Sequence, residues 1–459
     1  MSVSRVLIAN RGEIAVRIIR ACQALEIETV LAVSEADRDS LAAQLAGRTF
    51  CIGSASATDS YLNYKAVVTA ALATQSDALH PGYGFLAESP ELAQACADNG
   101  IVFVGPKPEQ IRQMGNKIQA RILARQYGLP NLPGSEKVSS YHEAVAVAKR
   151  VGLPLMIKAA AGGGGRGMKI VSDIKDMQQM FASATAEARA AFGDDTLYLE
   201  KFIPNARHIE VQVLGDSFGN VIHLGERDCS MQRRHQKLIE EAPAPNISEL
   251  LREEIRQAAV TLARNFGYEN AGTVEFIVDQ DSGAFFFLEM NTRIQVEHPV
   301  TEMITGIDLV QEQFRVARGE ALRFAQSDVF FRGHAIECRI NAELPQQGFR
   351  PSPGLITEWL PPQGPNIRLD THCYPGYTVP MYYDSMVAKL IIYGTSRAEA
   401  VQRMLRALEQ FSVSGIDTTI AFQHFAVSHP DFVAGKVSTH LVEDLIPQML
   451  AAVSSKQSV

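Results

Sequence analysis

Ten consecutive residues, Glu289 to His298, combine two carboxylates with two amides, a guanidinium and an imidazole. In extended backbone, successive side chains point to opposite faces, so the odd-numbered residues of this run would share a face. That face would be wholly polar, with Glu289, Asn291, Arg293, Gln295 and Glu297, whereas the other would carry Met290, Ile294 and Val296. An ordinary amphipathic strand also alternates, but it rarely carries side chains this costly to desolvate without partners. The run therefore predicts one ligand-binding face and one core face.

The residues before this run predict a β-hairpin that brings two carboxylates together. Thr273–Val278 and Phe285–Glu289 have the composition of strands, and Asp281–Gly283 between them is typical of a turn. A hairpin around this turn places Glu275 directly opposite Glu289. Facing carboxylates repel unless a cation lies between them, and Mg²⁺ accepts carboxylate and phosphate oxygens. We therefore favour a metal site over a solvated face on which the repulsion is tolerated.

Four consecutive glycines, Gly162–Gly165, follow the strand-like segment Leu155–Lys158. Consecutive glycines let backbone amides curl around phosphate oxygens, and Lys158 would add a point charge. The run matches neither the GxxxxGK[ST] loop nor the GxGxxG fingerprint. A glycine run alone is typical of a flexible turn. Placed between a strand that ends in lysine and a downstream carboxylate pair, it predicts a lid over nucleotide phosphates.

Lys117, Lys158, the glycine run and the Glu275/Glu289/Asn291 cluster together resemble the ATP-grasp superfamily. Four motifs resemble biotin carboxylase more narrowly: IANRGEIA at 8–15, HPGYGFL at 80–86, MQRRHQK at 231–237 and the run at 289–298. The resemblance extends from about residue 5 to about residue 445, and no motif position departs from it. Other ATP-grasp ligases share the metal carboxylates but lack MQRRHQK and RIQVEH. The motifs are therefore specific to the narrower family.

Alternating strand and helix patterns predict a parallel sheet in the amino-terminal part, with strands at 5–9, 28–34 and 101–104 and a helix at 13–24. Its loops at 10–12 and 80–83 would face the site, because ligands bind at the carboxyl ends of parallel strands. We expect an α/β and α+β multidomain protein. The predicted parts are an α/β domain at 1–114, an ATP-grasp domain at 115–330 with a lid at about 131–202, a carboxyl-terminal mixed-sheet domain at 331–447, and a polar tail at 448–459.

Composition narrows the class of protein. A chain of 459 residues, 46% of them hydrophobic, is long enough for about three domains. Its apolar runs fall short of the roughly 20 residues that span a membrane, and the first strand begins too early for a signal or transit peptide. The scattered cysteines form no CxxC pair and indicate reduced thiols of a cytoplasmic protein, with Cys229 packed rather than nucleophilic. A net charge of −8 disfavours general nucleic-acid binding.

The resemblance implies an ATP site with two Mg²⁺ or Mn²⁺ ions. Glu275 and Glu289 would hold the metal with support from Asn291, and Lys117, Lys158 and His208 would hold the phosphates, since phosphoryl transfer depends on positioning and charge neutralisation. A hinge at Glu200 and Lys201 would read adenine. The implied cofactor-binding set is Lys117, Lys158, Gly163, Gly164, Gly165, Glu200, Lys201, Ile203, His208, Gln232, His235, Glu275 and Glu289.

Carboxylation of biotin through carboxyphosphate needs a bicarbonate site. A guanidinium suits this planar anion, so Arg293 is the expected clamp, with Gln295, the Val296 amide and Lys237. Glu297 would be the general base, and burial beside Ile294 and Val296 would raise its pKa; pairing with an arginine is the alternative. Arg339 would stabilise negative charge on the biotin ureido oxygen, and released phosphate would take the proton. Tyr83 and Asp384 would flank biotin, or have structural roles instead.

The chain contains no Ala-Met-Lys-Met turn, and its only Met-Lys pair is Met168-Lys169. We therefore expect a free-standing subunit that acts on a separate biotin carboxyl carrier protein and works with carboxyltransferase subunits, as a homodimer, in the first half-reaction of an acetyl-CoA or other acyl-CoA carboxylase. A role in a pyruvate or other carboxylase remains an alternative. So does a different ATP-grasp carboxylate–amine ligase. A non-catalytic homologue is disfavoured, because no charged site residue is lost.

Overall fold

The computed structural model of the chain describes residues 3–160 and 168–457. Its amino-terminal part is a five-stranded parallel sheet of order β3-β2-β1-β4-β5. The strands are β1 Arg5–Ile8, β2 Glu28–Ser34, β3 Arg48–Gly53, β4 Ala78–His80 and β5 Val102–Phe103, and the helices are α1 Gly12–Ala24, α2 Leu41–Leu45, α3 Tyr64–Ala73, α4 Pro90–Asp98 and α5 Pro108–Gly115. Helices on both faces explain the continuous apolar runs of β1 and β2. The predicted parallel α/β sheet is confirmed.

The loops that follow β1 and β4 are tied together at the carboxyl edge of this sheet. The Asn10 side-chain amide donates hydrogen bonds to the carbonyl oxygens of Pro81 and Tyr83, both at 2.7 Å. Gly82 has a positive φ of +64°, and an added Cβ there would lie 2.8 Å from the Asn10 amide nitrogen. Asn10 and Gly82 therefore fit each other and present Tyr83 at the strand ends.

A small antiparallel sheet of order β7-β6-β8 follows. Its segment contains α6 Lys117–Gln126, α7 Tyr141–Val151, β6 Leu155–Ala159, β7 Lys169–Val171, α8 Met177–Phe192 and β8 Leu197–Lys201. Lys158, the predicted phosphate contact, is the last residue but one of β6. On β8, Glu200 is the register partner of Met156. The predicted glycine lid, with Gly163, Gly164 and Gly165, lies outside the described residues.

The centre of the molecule is an eight-stranded sheet of order β13-β12-β9-β10-β11-β14-β21-β19. The elements up to residue 317 are β9 Ala206–Gly215, β10 Val221–Arg233, β11 Gln236–Ala242, α9 Glu249–Asn265, β12 Asn270–Asp279, β13 Phe285–Asn291, α10 His298–Thr305 and α11 Leu309–Ala317. On β9, apolar and polar residues alternate. Ile209, Val211 and Val213 belong to a core shared with α9, and the polar residues form a row on the other face. That polar row is His208, Glu210 and Gln212, all buried.

The carboxyl-terminal part joins the same sheet, because β14 pairs with β11. Its elements are β14 His334–Asn341, β15 Glu343–Leu344, β16 Arg350–Pro351, β17 Gly354–Leu355, β18 Glu358–Leu360, β19 Ile367–Thr371, β20 Thr378–Val379, β21 Met386–Gly394, α12 Arg397–Gln410, β22 Ser412–Ser414, α13 Ile420–Ser428, α14 Pro430–Val433 and α15 Leu441–Gln457. The multidomain α/β class is confirmed. The strand pairs described here are antiparallel, where a mixed sheet was expected. Among the described helices, none has both the length and the apolar character needed to cross a bilayer.

The carboxyl-terminal core offers a direct test of this packing. Phe422 is fully buried and its ring meets that of Phe349 edge-on at 5.2 Å, in the same core as Trp359, the only tryptophan of the chain. We expect Phe422→Ala to lower the free energy of unfolding by about 3–5 kcal/mol, because it leaves a cavity in this core. Urea unfolding followed by Trp359 fluorescence measures the effect. Phe218→Ala, at a ring that is 66% exposed, is the control; equal midpoints for the two variants would contradict the packing.

Candidate active site

A cavity of about 940 Å³ lies where the parallel sheet, the β6–β8 sheet and the polar face of the eight-stranded sheet meet. Apart from the three glycines outside the described residues, it is lined by every predicted site residue except Glu297. Those lining residues are Tyr83, Lys117, Lys158, Glu200, Lys201, Ile203, His208, Gln232, His235, Lys237, Glu275, Glu289, Asn291, Arg293, Gln295, Val296, Arg339 and Asp384. The sequence prediction therefore selected residues that converge in space.

Lys237 is the centre of the site. Its ammonium Nζ lies 2.5 Å from Glu210 Oε2, 3.1 Å from Glu275 Oε1 and 2.7 Å from Glu297 Oε1. Glu210 and Glu275 are register partners on β9 and β12, so their carboxylates share the polar face of the sheet. Burial would lower the pKa of Lys237, but the acidic groups around it raise that pKa well above its usual value. The lysine is therefore a fixed positive charge that holds three buried carboxylates together.

Glu297 lies behind the cavity wall. Its Oε1 accepts from Lys237, and its Oε2 accepts from Arg339 Nη2 at 2.9 Å; the side chain is fully buried. The expected rise of its pKa is wrong. Burial acts in that direction, but Lys237, Arg339 and Arg227 together hold the pKa of Glu297 well below its usual range. The local apolar neighbours predicted the burial, whereas the three cations come from distant strands and outweigh it.

The two predicted metal carboxylates face each other as the hairpin register requires. Glu275 pairs with Glu289, and the extra residue Leu288 forms a bulge immediately after that pair. Glu275 Oε2 lies 2.9 Å from His208 Nε2, and its Oε1 accepts from the Asn291 amide at 2.9 Å. Glu289 Oε2 lies 2.9 Å from Lys117 Nζ. Nitrogen cations thus balance this pair, and its oxygen donors fit Mg²⁺.

The His208 imidazole lies against the Glu275 carboxylate, which favours its protonated form. Its ring is buried, which lowers its pKa, but Glu275 more than compensates, so the pKa of His208 is raised above its usual value. A protonated imidazole donates hydrogen bonds and has no lone pair for a metal. His208 therefore suits the predicted contact with a phosphate group.

The extended backbone of the opening run ends at Asn291. Residues 292–297 form a loop and turn. Helix α10 follows directly, beginning at His298 with Pro299 in its first turn. The predicted shared face of Arg293, Gln295 and Glu297 is therefore wrong as a strand face. The loop nevertheless brings Arg293 back over the sheet, where its guanidinium donates to Asn291 Oδ1 at 2.9 Å and to Gln295 Oε1 at 2.8 Å.

Arg293 also connects the central sheet to the amino-terminal part. Its Nε lies 2.9 Å from Glu88 Oε2, which belongs to the segment after β4. The pKa of Arg293 is raised, because Glu88 and two further carboxylates outweigh its burial. Arg293, Gln295 and Lys237 all line the cavity, where their N–H groups suit a small anion; we call this part of the lining the anion pocket.

Where the β6–β8 sheet borders the cavity, the Glu200 carboxylate orients basic side chains. Lys158 Nζ lies 2.6 Å from Glu200 Oε2, and Arg121 pairs with the other oxygen. Burial would raise the pKa of Glu200, but Lys158 and Arg121 lower it overall. Lys201 Nζ donates to the carbonyl oxygen of Leu153 at 2.7 Å. Lys201, at the end of β8, and Ile203, two residues beyond it, both line the cavity.

On the opposite side, Arg339 stands between two carboxylates. Its Nε donates to Glu240 Oε1 at 2.6 Å, and its Nη2 donates to Glu297. Burial raises the pKa of Glu240 to about 7, although Arg339 opposes that rise. The Tyr83 hydroxyl donates to Glu13 Oε1, and Asp384, at the exposed rim, accepts from the Met386 amide at 2.8 Å.

Several charged residues of this site were not predicted as site residues. Arg227, fully buried on β10, donates to Glu210 at 2.6 Å, to Gln212 at 2.9 Å and to Thr301 at 2.9 Å. Gly225, with φ +87°, lies at a register shift of β10; pairing resumes with Glu226 opposite Val211, which places Arg227 opposite Glu210. The sequence signal was a charged triplet, 226–228, inside an otherwise strand-like segment. The other unpredicted members are Glu13, Glu88, Arg121, Glu210 and Glu240.

Three family models match the chain. They are "Biotin carboxylase, N-terminal domain" over residues 2–111, "Carbamoyl-phosphate synthase L chain, ATP binding domain" over 116–325, and "Biotin carboxylase C-terminal domain" over 337–444. The biotin carboxylase of Nostoc sp. is 52% identical over 97% of this chain and 100% of its own length. A pyruvate carboxylase subunit of Methanothermobacter thermautotrophicus is 49% identical over 96% of this chain and 90% of its own length.

Solved structures give the same similarity in three dimensions. The Campylobacter jejuni biotin carboxylase–β-γ-ATP complex has a TM-score of 0.93 and 47% identity, covering 96% of this chain and 98% of that chain. The biotin carboxylase domain dimer of Hydrogenobacter thermophilus 2-oxoglutarate carboxylase, in complex with MgADP, ADP and bicarbonate, has a TM-score of 0.93 and 46% identity, with the same coverage.

The central lysine makes the stability of the fold depend on pH in a specific way. In the intact chain, the pKa of Glu275 and of Glu297 is lowered, so both stabilise the fold above their unfolded-state pKa and lose that effect as pH falls. Burial raises the pKa of both carboxylates, and Lys237→Met removes one of the cations that oppose this effect. The pKa of both carboxylates therefore rises in the variant, and its stability falls as pH increases. We expect a deficit of about 3–5 kcal/mol near neutral pH that shrinks towards about pH 5.

Thermal unfolding of Lys237→Met and the unaltered chain, compared at several pH values, measures this deficit. Lys201→Met is the matched control, because the Lys201 ammonium contacts the carbonyl oxygens of Gly152 and Leu153 rather than carboxylates. A deficit of Lys237→Met that is as independent of pH as that of Lys201→Met would contradict the charge balance described above.

Proposed function

This chain belongs to the biotin carboxylase family, and we propose that it uses ATP and bicarbonate to carboxylate biotin on a separate carrier protein through carboxyphosphate. The observation that supports this most directly is the row Glu275–Lys237–Glu297–Arg339. Each member of this row lies within hydrogen-bonding distance of the next. In order, they are the proposed metal carboxylate, the lysine of the anion pocket, the proposed base and the proposed biotin contact. Such a row lets phosphoryl transfer, bicarbonate activation and carboxyl transfer occur in one cavity.

On the nucleotide side, Lys117, Lys158 and His208 are the groups that would hold the phosphates of ATP. Glu275 and Glu289, with Asn291, would hold Mg²⁺ or Mn²⁺, which supplies charge neutralisation during phosphoryl transfer. Lys117 now contacts Glu289. Nucleotide phosphates would draw this ammonium away and leave the Glu289 carboxylate available to a cation beside Glu275.

On the bicarbonate side, Arg293 and Lys237 would bind the anion, with Gln295 and the Val296 amide completing the contacts. Glu297 is a weak base while Lys237 and Arg339 hold its pKa low. An anion bound against Lys237 adds negative charge and shares that ammonium, so it raises the pKa of Glu297 towards the value that proton transfer requires. Substrate binding would thereby strengthen the base that acts on it.

For the second half of the reaction, Arg339 would stabilise the negative charge that develops on the ureido oxygen of biotin. Hydrogen bonds to Glu240 and Glu297 hold this guanidinium from two sides. It therefore needs little reorganisation free energy when charge develops during the reaction. The phosphate released from carboxyphosphate would accept the ureido proton. Tyr83 and Asp384 would flank biotin at the open side of the cavity.

The partners follow from this chemistry. The carboxylated carrier must pass its group to a carboxyltransferase, which chooses the final acceptor. We propose acetyl-CoA or another acyl-CoA as that acceptor. A pyruvate carboxylase is the second candidate, because the Methanothermobacter pyruvate carboxylase protein is nearly as similar to this chain as the Nostoc biotin carboxylase is. We further propose a homodimer that acts in the cytoplasm.

The decisive assay is ADP release from ATP, magnesium and bicarbonate, with and without biotin. We expect biotin to stimulate the rate and Glu297→Gln to reduce it by about 100-fold or more, because the amide cannot accept the bicarbonate proton. Glu312→Gln is the matched control, since Glu312 is a buried carboxylate outside the cavity that pairs with Arg315 and Arg323. If free biotin has no effect, the biotinylated carrier replaces it; indifference to both would make biotin the wrong acceptor.

The same assay tests the metal carboxylates. Chelation of divalent cations should stop ADP release, and restored Mg²⁺ or Mn²⁺ should recover it. We expect Glu289→Gln to raise the Mg²⁺ concentration for half-maximal rate by about tenfold or more, because it removes one of two charged oxygen ligands. The Glu312→Gln variant should keep the original requirement. An unchanged requirement in Glu289→Gln would assign this carboxylate to Lys117 alone.

A further inference from the structure

Lys389 is a fully buried lysine on β21 that does not line the cavity. Lysine is almost never buried to this extent unless its charge is paired. Its Nζ lies 3.1 Å from Glu13 Oε1, in the first turn of α1, and 3.7 Å from Asp370 Oδ2 on β19. Burial would lower the pKa of Lys389, but Glu13, Glu337 and Asp370 raise it overall. The side chain is therefore an ammonium ion with carboxyl groups on several sides.

The same ammonium donates a hydrogen bond of 2.8 Å to the carbonyl oxygen of Val296. That oxygen belongs to the peptide unit that joins Val296 to Glu297. Because a peptide unit is planar, fixing its oxygen also fixes the direction in which the Glu297 backbone leaves the turn. The turn is followed at once by α10, which begins at His298. Lys389 thus holds the point from which the proposed base extends towards the anion pocket.

Glu13 links this arrangement to the other side of the cavity. One carboxylate oxygen, Oε1, accepts a hydrogen bond from the Tyr83 hydroxyl and forms an ion pair with Lys389 Nζ at 3.1 Å. Its other oxygen has no hydrogen-bond partner among the described residues. The Lys389 Nζ also lies 5.9 Å from the centre of the Tyr83 ring. A single carboxylate oxygen therefore joins the loop after β4 to β21 and, through Lys389, to the Val296–Glu297 turn.

Charge repulsion makes this pair necessary. Lys389 is the register partner of Arg339 on β14, and two cations directly opposite in a sheet repel. Glu240 and Glu297 compensate Arg339, whereas Glu13 and Asp370 lie beside Lys389. Without Glu13, Lys389 would be drawn towards Asp370 and away from Val296.

We propose that Glu13 and Lys389 are positioning residues that set the Val296–Glu297 turn for bicarbonate and couple it to Tyr83, an inference that rests on the proposed function of that turn. Neither residue reacts. Their contribution is to hold the Glu297 carboxylate and the Val296 amide in the geometry that the anion needs. The pair brings together three segments that are far apart in the chain: the amino-terminal helix α1, the turn before α10, and β21.

The test uses the full chain with Glu13→Gln/Lys389→Met. Removing both charges together avoids the uncompensated buried ion that either single change would leave. Glu241→Gln/Arg397→Met is the matched control, because Arg397 Nε lies 2.7 Å from the buried Glu241 across β11 and α12, and neither lines the cavity. Glu13→Asp is a second variant that keeps the charge balance and withdraws the carboxylate by one methylene, should the double variant fail to fold.

The first measurement is the KM for bicarbonate and for ATP in ADP release without biotin. We expect the double variant to raise the KM for bicarbonate and lower kcat by about tenfold or more, with the KM for ATP unchanged, because misplacement of reacting groups by a fraction of an ångström has effects of this size. Glu13→Asp should change them in the same direction and by less. The control should keep all three values. A bicarbonate KM that stays at its original value, or KM values that rise together for both substrates, would overturn the proposal.

The second measurement is hydrogen–deuterium exchange of residues 292–300, which does not depend on activity. Exchange there should accelerate in Glu13→Gln/Lys389→Met and remain unchanged in the control, because local opening follows the loss of contacts. Unchanged exchange would overturn the positioning role even if the unaltered chain proved inactive with bicarbonate. Inactivity of the unaltered chain would instead count against the proposed function, so the two failures are distinguishable.

Discussion

The rest of the site depends on one ammonium group among three buried carboxylates. Glu210 and Glu275 lie on one polar face of a sheet whose other face is core, and the buried Glu297 reaches the same lysine from the turn before α10. None of the three carboxylates can disperse its charge into water. Lys237 contacts all three carboxylates, and the fully buried Arg227 forms a second ion pair with Glu210. Buried charges persist only when they are paired and hydrogen-bonded in this way. The fold can therefore place the proposed metal carboxylate Glu275 and the proposed base Glu297 next to each other only because Lys237 lies between them.

This arrangement explains how one set of cations can serve two purposes. Lys237 and Arg339 favour the ionised form of Glu297, which is the form in which the proposed base could accept a proton. The same two side chains face the cavity, where anionic and carbonyl-containing substrates would bind. As a substrate engages them, their hold on Glu297 weakens and its basicity increases. Because Lys237 and Arg339 are fixed on strands and not on flexible loops, little reorganisation is needed when charge develops.

The sequence predicted what depends on local pattern and failed where distant partners decide. Period-two alternation gave the hairpin register that sets Glu275 opposite Glu289, and strand–helix alternation gave the parallel sheet. The depressed pKa of Glu297 could not be foreseen, because its cations come from β10, β11 and β14. The return of Arg293 over the sheet also depends on Glu88, some 200 positions away along the chain. Local hydrophobicity reports burial, but it does not report which charges share the buried space.

The continuity of the central sheet connects the anion pocket to the proposed biotin contact, Arg339. Lys237 lies on β11 and Arg339 on β14, which are neighbouring strands, with Glu240 opposite Glu337 in their register. A slip of one residue in this pairing would turn Arg339 towards the core and leave Glu240 and Glu297 without their guanidinium. The anion pocket and the proposed biotin contact are thus parts of one hydrogen-bonded lattice across residues that sequence motifs assign to separate regions. The spacing of Lys237 and Arg339 is fixed by backbone pairing, so motion of one relative to the other would require breaking hydrogen bonds of the sheet.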